Sequence, residues 1–228
     1  MKERTKLLQK PWFSPDATRE IRALDPVLRE VRTVHKSYIN NEPNEEISYW
    51  HGERPHTGLL AAAVWRCRGL TALEEYATRR RVGPKKVTGR CDLYIRVARD
   101  LTFECEAKHL SVNLRTRARE SADDVLRCLK QAMKQAKQVK GAKSRKEAAV
   151  LNRTDHYLGI CFVTSTIKQP KSGEPEAKTL ELINELKQGD GRSRCDGLFW
   201  IHGKPLPDSE RPAWFYPGLL IAIQELRE

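Results

Sequence analysis

The chain has 228 residues, and its 42 Lys and Arg outnumber its 30 Asp and Glu, which gives a formal net charge of +12. A chain of this length can bury a hydrophobic core and suits one domain with additions. The positive charge favours a polyanion such as nucleic acid as partner. No apolar run approaches the roughly 20 residues of a membrane span, the N-terminus lacks the apolar stretch of a signal peptide, and the scattered cysteines form no Cys-x-x-Cys pair. We therefore expect a cytoplasmic protein that has no membrane association and no zinc site.

The first part of the chain, residues 1–52, predicts a helical arm. Ser14, which a proline follows, is typical of an N-cap, and Asp25 repeats the signal before a helix that continues to about Tyr38. A turn-rich stretch then ends the arm. We expect the arm to dock on the domain formed by residues 53–228, on a second copy of the chain or on a partner protein.

An apolar helix is predicted over residues 56–69, and the segment after it is ambiguous. Over residues 70–80, Glu74 and Glu75 favour a helix, whereas the hairpin that follows favours a strand. The end of this segment and the turn after it are strongly basic through Arg79, Arg80, Arg81, Lys85 and Lys86. These side chains either hold the phosphates of a nucleic acid or form a solvated basic loop.

Two strands joined by a three-residue loop are predicted over residues 87–97 and 101–108. In the first strand apolar residues alternate with a face that carries Asp92, and in the second they alternate with Glu106 and Lys108. The loop length pairs Asp92 with Glu106 and Arg90 with Lys108, with the Cβ atoms of opposed residues roughly 4.5–5.5 Å apart. Two opposed carboxylates repel, so this register predicts a bound cation. A solvated face with scattered charges is the alternative.

After the hairpin the pattern predicts a helix, a strand, a helix, a strand and a closing strand or helix. These elements cover residues 120–140, 156–166, 179–187, 195–201 and 217–226. The first helix has an apolar stripe and a lysine-bearing face with Lys130 and Lys134, which either is solvated or contacts nucleic acid. The next strand is apolar on both faces, as in the centre of a sheet. A helix before that strand permits a parallel crossover, so we predict an α/β fold with a mixed sheet flanked by helices.

Asp92, followed on the next strand by Glu106-x-Lys108, resembles the motif of the PD-(D/E)xK nuclease superfamily, whose fold is called restriction-endonuclease-like. The proline that names the motif is absent, because Cys91 precedes the aspartate. The resemblance covers residues 55–201. It implies an α-β-β-β-α-β core, and this order favours a strand for the ambiguous segment before the hairpin.

The resemblance implies a Mg²⁺-dependent hydrolysis of phosphodiester bonds, with Mn²⁺ as a substitute. Asp92, Glu106 and the backbone carbonyl of Ala107 would hold the metal, since Mg²⁺ prefers oxygen ligands. Lys108 would orient or deprotonate the attacking water and neutralise developing charge.

Two further polar positions follow from the same resemblance. Such nucleases often recruit another acidic residue near the first helix, and Glu53 and Glu46 both lie there. They also often use a polar residue of the helix after the Glu-x-Lys strand, where Gln131 is the candidate by position and Gln135 the alternate.

The function expected on this basis is a DNA-cleaving enzyme in restriction, phage defence, mobile-element movement or repair. An RNA-processing nuclease differs from it only in substrate. A non-catalytic nucleic-acid-binding or assembly subunit that retains the nuclease fold is the alternative from another class.

Overall fold

The computed structural model describes residues 10–41, 52–142, 154–188, 195–207 and 213–227. Their elements, in chain order, are β1 (Trp12–Phe13), α1 (Arg19–Arg22), α2 (Asp25–Asn41), α3 (Glu53–Arg66), β2 (Thr71–Val82), β3 (Lys85–Arg96), β4 (Leu101–Asn113), α4 (Ala118–Lys140), β5 (Thr154–Lys168), α5 (Glu174–Gln188), β6 (Gly197–Pro207) and β7 (Trp214–Glu225).

The strands form one seven-stranded sheet in the order β1-β6-β7-β5-β4-β3-β2. β4 and β5 are parallel along thirteen paired residues, and α4 carries the chain from the end of one to the start of the other. All the other neighbours in the sheet are antiparallel. The α/β class and the mixed sheet predicted from the sequence are therefore confirmed, because the helix between β4 and β5 supplies the expected crossover.

Helices cover both faces of the sheet. α2 and α3 pack on one face, where Phe162 of β5 contributes to the buried cluster. α4 and α5 pack on the other, where Cys161 and Val163 of β5 join Val125 and Leu129 of α4. The apolar run of β5 therefore serves two cores at once, as expected of a central strand.

Most predicted elements are present with shifted ends. The ambiguous segment is the strand β2, and the closing element is the strand β7. α3 starts and ends about a turn earlier than predicted, because Cys67 is already extended and Gly69 turns the chain at φ +82°. α5 begins at Glu174, five residues before the predicted start of this helix at residue 179. No helix within the described ranges is long and apolar enough to cross a membrane.

The expected helix start at Ser14 is wrong. Trp12 and Phe13 form a short strand paired with β6, and the Ser14 backbone N–H donates to the Asp196 carbonyl at 2.9 Å. Thr18 is the N-cap instead, because its hydroxyl accepts from the Ile21 N–H at 3.2 Å.

Residues 10–41 share the core of the rest of the chain. Side chains of α1, of α2 and of the turn between them are buried in the same cluster as β3, β4 and β5; they include Ile21, Leu24, Val27, Leu28 and Val31. Arg32 of α2 also lies 4.9 Å over the ring of Phe199 in β6. One buried cluster therefore includes residues from both sides of the predicted boundary at residue 52.

Candidate active site

The candidate site lies where β3 parts from β4. The two strands pair from Arg96–Thr102 to Leu93–Cys105, which is the register that the three-residue loop predicted. The next rung is replaced by a side chain, because Asp92 Oδ2 accepts the Ala107 N–H at 2.8 Å. Beyond it β3 stays paired with β2, and β4 stays paired with β5. Asp92 and Glu106 therefore border a gap between strands instead of facing each other across a continuous ladder.

The predicted pairing of Arg90 with Lys108 is wrong for the same reason. The ladder has ended before these residues, and the Arg90 guanidinium instead donates to Glu75 Oε2 of β2 at 2.6 Å. Lys108 turns to the other side of the gap. Its Nζ lies 3.3 Å from Glu53 Oε2 and also donates to the Ala107 carbonyl.

Glu106 is buried, with 1 % of its side chain exposed, and it is held by a cation from the edge strand. Arg80 Nη2 lies 2.8 Å from both Glu106 oxygens. The guanidinium also donates to the Arg90 carbonyl, through Nε at 3.0 Å. Arg80 crosses β3 over Gly89, where a Cβ atom would come within 2.8 Å of the Arg80 Cδ. A glycine at this position is therefore what lets Arg80 reach the site.

The charges of the site act on one another through this gap. Burial, and then the Asp92 carboxylate, raise the pKa of Glu106 to about 8, while Arg80 and Lys108 oppose the rise. Burial also raises the pKa of Glu53, again with a contribution from Asp92 and opposition from Lys108. Carboxylates from α3, β3 and β4 thus form one electrostatic cluster, in which each negative charge makes ionisation of the other carboxyl groups less favourable.

An open cleft of about 910 Å³ leads to this cluster. It is lined by Glu53, Arg54, Thr57, Glu74, Glu75, Arg80, Thr88, Gly89, Arg90 and Asp92. Glu75 stands between two of the arginines, 2.8 Å from Arg54 Nε and 2.6 Å from Arg90 Nη1. The cleft therefore combines acidic groups near the gap with basic groups at its walls.

Several cleft residues were missed at the level of sequence. Arg90 lies two residues before Asp92 and therefore on the same face of β3, so the period-two pattern could have identified it as a neighbour of the site. Arg54 directly follows Glu53 at the start of α3. Glu75 gave no such signal, because it sits in β2 with an unusual φ of +44°.

Glu104, on the same face of β4 as Glu106, is also buried. It is 1 % exposed, and Tyr76 of β2 forms a hydrogen bond with it. Burial raises the pKa of the Tyr76 hydroxyl most, and the neighbouring Cys91 and Glu104 raise it further.

Of the two acidic candidates near this helix, Glu53 begins α3 and belongs to the cluster, while Glu46 lies outside the described residues. Gln131 is exposed on α4. The alternate Gln135 has a buried Oε1 atom that finds no hydrogen-bond partner within the described part of the chain.

The predicted basic residues fall into separate groups. Arg80 is part of the cluster, whereas the other basic residues of the β2–β3 hairpin are exposed; they are Arg79, Arg81, Lys85 and Lys86. On α4, Lys130 and Lys134 are exposed as well. The exposed residues are free to meet a polyanion, but the structure does not bring them into the cleft lining.

The types of donor atom in the site suit a divalent cation, although their arrangement in this structure does not. Asp92, Glu106, Glu53 and the Ala107 carbonyl offer the oxygen ligands that Mg²⁺ prefers, and the buried Glu106 already takes a cationic partner. In the described ranges, however, no three or more His, Cys, Asp or Glu side chains are grouped so that they could hold a metal ion. The reason lies in the contacts above, because Glu106 is turned to Arg80 and Asp92 to the Ala107 N–H.

No protein-family model, no curated protein and no solved structure matches this chain at a significant level.

Proposed function

We propose that this protein is a metal-dependent nuclease of the PD-(D/E)xK type, which hydrolyses phosphodiester bonds in DNA. One observation carries the proposal: Glu53, Asp92, Glu106 and Lys108 come from three separate elements and converge where β3 parts from β4, at the end of an open cleft. Acidic oxygens beside a lysine and basic walls suit a cation and a phosphodiester together.

The order of elements supports the same proposal. α3, the meander β2-β3-β4, the crossover helix α4 and the parallel strand β5 follow the α-β-β-β-α-β order of a restriction-endonuclease-like core. The acidic cluster lies on the second and third strands of the meander, where the superfamily carries its motif. We assign the chain to this fold on that correspondence of order and site.

Asp92, Glu106 and the Ala107 carbonyl would hold Mg²⁺ or Mn²⁺, with Glu53 as the additional acid. The bound cation would supply charge stabilisation at phosphorus and a more acidic water. Lys108 stands beside the Ala107 carbonyl and Glu53, so its ammonium can orient the attacking water and balance the charge that develops on the phosphate.

The basic groups around the cluster would hold the substrate backbone. Arg54 and Arg90 line the cleft, and the exposed Arg79 and Arg81 extend the positive surface along the β2–β3 hairpin. Contacts of this kind position a nucleic acid without reading its bases. The setting that we propose is the cytoplasm, in restriction, phage defence, mobile-element movement or repair.

Cleavage assays test the proposal directly. Purified protein is incubated with plasmid, linear duplex, single-stranded DNA and RNA, each in Mg²⁺, Mn²⁺ or EDTA. We expect DNA to be cut with either metal and spared in EDTA. Glu106→Ala and Lys108→Ala should abolish cutting while circular dichroism shows an intact fold, and Asp100→Asn, in the exposed turn of the same hairpin, should cut normally. Cutting by a folded Glu106→Ala protein would disprove the assignment. Preferential cutting of RNA would show that the substrate is RNA instead of DNA.

A non-catalytic nucleic-acid-binding subunit is the second candidate. One observation favours it, because the Arg80 ion pair already neutralises Glu106 without any metal. Such a protein would bind DNA equally well in EDTA and in Ca²⁺, would cut nothing in Mg²⁺ or Mn²⁺, and would keep its affinity in an Asp92→Ala variant. The nuclease should instead bind DNA more tightly in Ca²⁺ than in EDTA, because Ca²⁺ offsets the carboxylate repulsion without activating water well.

A further inference from the structure

Arg80 is unlike the arginines beside it. Arg79 and Arg81 are exposed, whereas the side chain of Arg80 is 18 % exposed and donates hydrogen bonds to Glu106 and to the Arg90 carbonyl. Its guanidinium lies 2.8 Å from both oxygens of Glu106, so its positive charge opposes the approach of a second cation to this carboxylate.

The path of Arg80 is built into the backbone of β3. The arginine passes over Gly89, where any side chain would displace it, since a Cβ there would lie 2.8 Å from Cδ and 3.0 Å from Cγ and Nε of Arg80. At the same time Arg80 borders the open cleft together with Thr88 and Gly89. A small rotation about its long side chain would therefore take the guanidinium from Glu106 into the cleft.

We propose that Arg80 is an internal counter-cation, which occupies Glu106 until a substrate phosphate in the cleft draws its guanidinium away. This inference rests on the proposed function, because it concerns the same carboxylate. A phosphate offers the guanidinium the same paired, charged acceptors as a carboxylate does. Glu106 becomes available for metal only when Arg80 leaves, so binding of nucleic acid and binding of metal assist each other.

The coupling is reciprocal and measurable. If the duplex raises the affinity for metal, metal must raise the affinity for the duplex by the same factor. Hydrogen bonds to a charged group correspond to a change of roughly 10- to 100-fold in a binding constant. We therefore expect the protein alone to bind Ca²⁺ roughly 10- to 100-fold more weakly than its complex with DNA does.

Isothermal titration calorimetry with Ca²⁺, which spares the substrate, tests this coupling in the full chain with and without a short DNA duplex. Arg80→Ala should bind Ca²⁺ without duplex about as tightly as the wild-type complex, and the duplex should add little. Arg99→Ala, in the exposed turn between β3 and β4, should behave like the wild type. Gly89→Ala keeps every charge and moves Arg80, so it should shift Ca²⁺ affinity in the same direction as Arg80→Ala, and it decides the question if Arg80→Ala fails to fold.

The outcomes separate this inference from the proposed function. Wild-type Ca²⁺ affinity in both Arg80→Ala and Gly89→Ala, with Mg²⁺-dependent cleavage by the wild type intact, would overturn the role of Arg80 and leave the nuclease standing. Absence of both Ca²⁺ binding and cleavage in every variant would overturn the nuclease, and the role of Arg80 with it.

Discussion

Replacing Asp92 by asparagine should stabilise the metal-free protein, although it removes a charged group from the candidate site. Asp92 has two separable roles in the structure. Its Oδ2 accepts the Ala107 N–H at 2.8 Å, which an asparagine oxygen can also do. Its negative charge raises the pKa of both Glu53 and Glu106, and this repulsion disappears with the amide.

The size of the effect follows from the charges. The repulsion between two neighbouring carboxylates amounts to about 3 kcal/mol at an effective dielectric constant of about 20. Arg80 and Lys108 offset most of this repulsion, so we expect a net gain of about 1 kcal/mol, or about 2–4 °C in Tm for a chain of this size. Asp92→Ala removes the same charge but also leaves the Ala107 N–H without its acceptor. It should therefore be about 1–3 kcal/mol less stable than Asp92→Asn.

Thermal and urea unfolding in EDTA at neutral pH measure these differences, with Asp100→Asn of the hairpin turn as the charge-matched control. Added Mg²⁺ should raise the Tm of the wild type and have a much smaller effect on Asp92→Asn. The reasoning is refuted if Asp92→Asn is less stable than the wild type in EDTA. Equal stability of the asparagine and alanine variants would refute the role assigned to the Ala107 hydrogen bond.

Three further predictions concern other parts of the molecule. Burial lowers the pKa of His35 to about 4, so the folded state binds a proton there only at a lower pH than the unfolded chain does. The free energy of unfolding should therefore be at its full value above about pH 6.5 and fall by up to about 3 kcal/mol as the pH drops towards 4. The fall should be smaller in His35→Gln. Gly218→Ala should cost roughly 2–4 kcal/mol in urea unfolding, because φ is +153° and the new Cβ would lie 2.3 Å from the Ile201 carbonyl oxygen. Neutralising the exposed Arg79 and Arg81 together should weaken binding to all DNA sequences alike and reduce the slope of log affinity against log salt by about 2.

Each of these has a control or a contradicting result. An acid limb of the stability curve that is identical in His35→Gln would assign it to other groups. Gly52→Ala, whose Cβ would meet nothing within 4 Å, should leave stability almost unchanged. An unchanged salt slope after loss of Arg79 and Arg81 would mean that the hairpin arginines face solvent or a protein.

The sequence by itself determined the features that depend on neighbours along the chain. Period-two alternation placed Asp92, Glu106 and Lys108 on strands, and the three-residue loop gave the register that β3 and β4 adopt up to Leu93. The two-sided apolar run identified β5 as a central strand, since its side chains fill both cores. Such patterns are readable because backbone geometry fixes which residues share a face.

Tertiary structure alone decided which distant groups meet. The pairing of Trp12 and Phe13 with β6 joins residues too few to form a periodic signal, so the N-terminal segment looked helical throughout. β3 parts from β4 after Leu93, where the Asp92 carboxylate accepts the Ala107 N–H, and Arg90 beyond this point contacts Glu75 of β2.

Packing also decided which charged side chains contact Lys108 and Glu106. α3 docks so that its first turn brings Glu53 to Lys108, and β2 lies so that a long arginine side chain crosses Gly89 to Glu106. No spacing in the chain encodes either distance, because each depends on how a helix or an edge strand packs on the sheet. The sequence thus identified the candidate site residues, and the packing of α3 and β2 decided which charged side chains contact them.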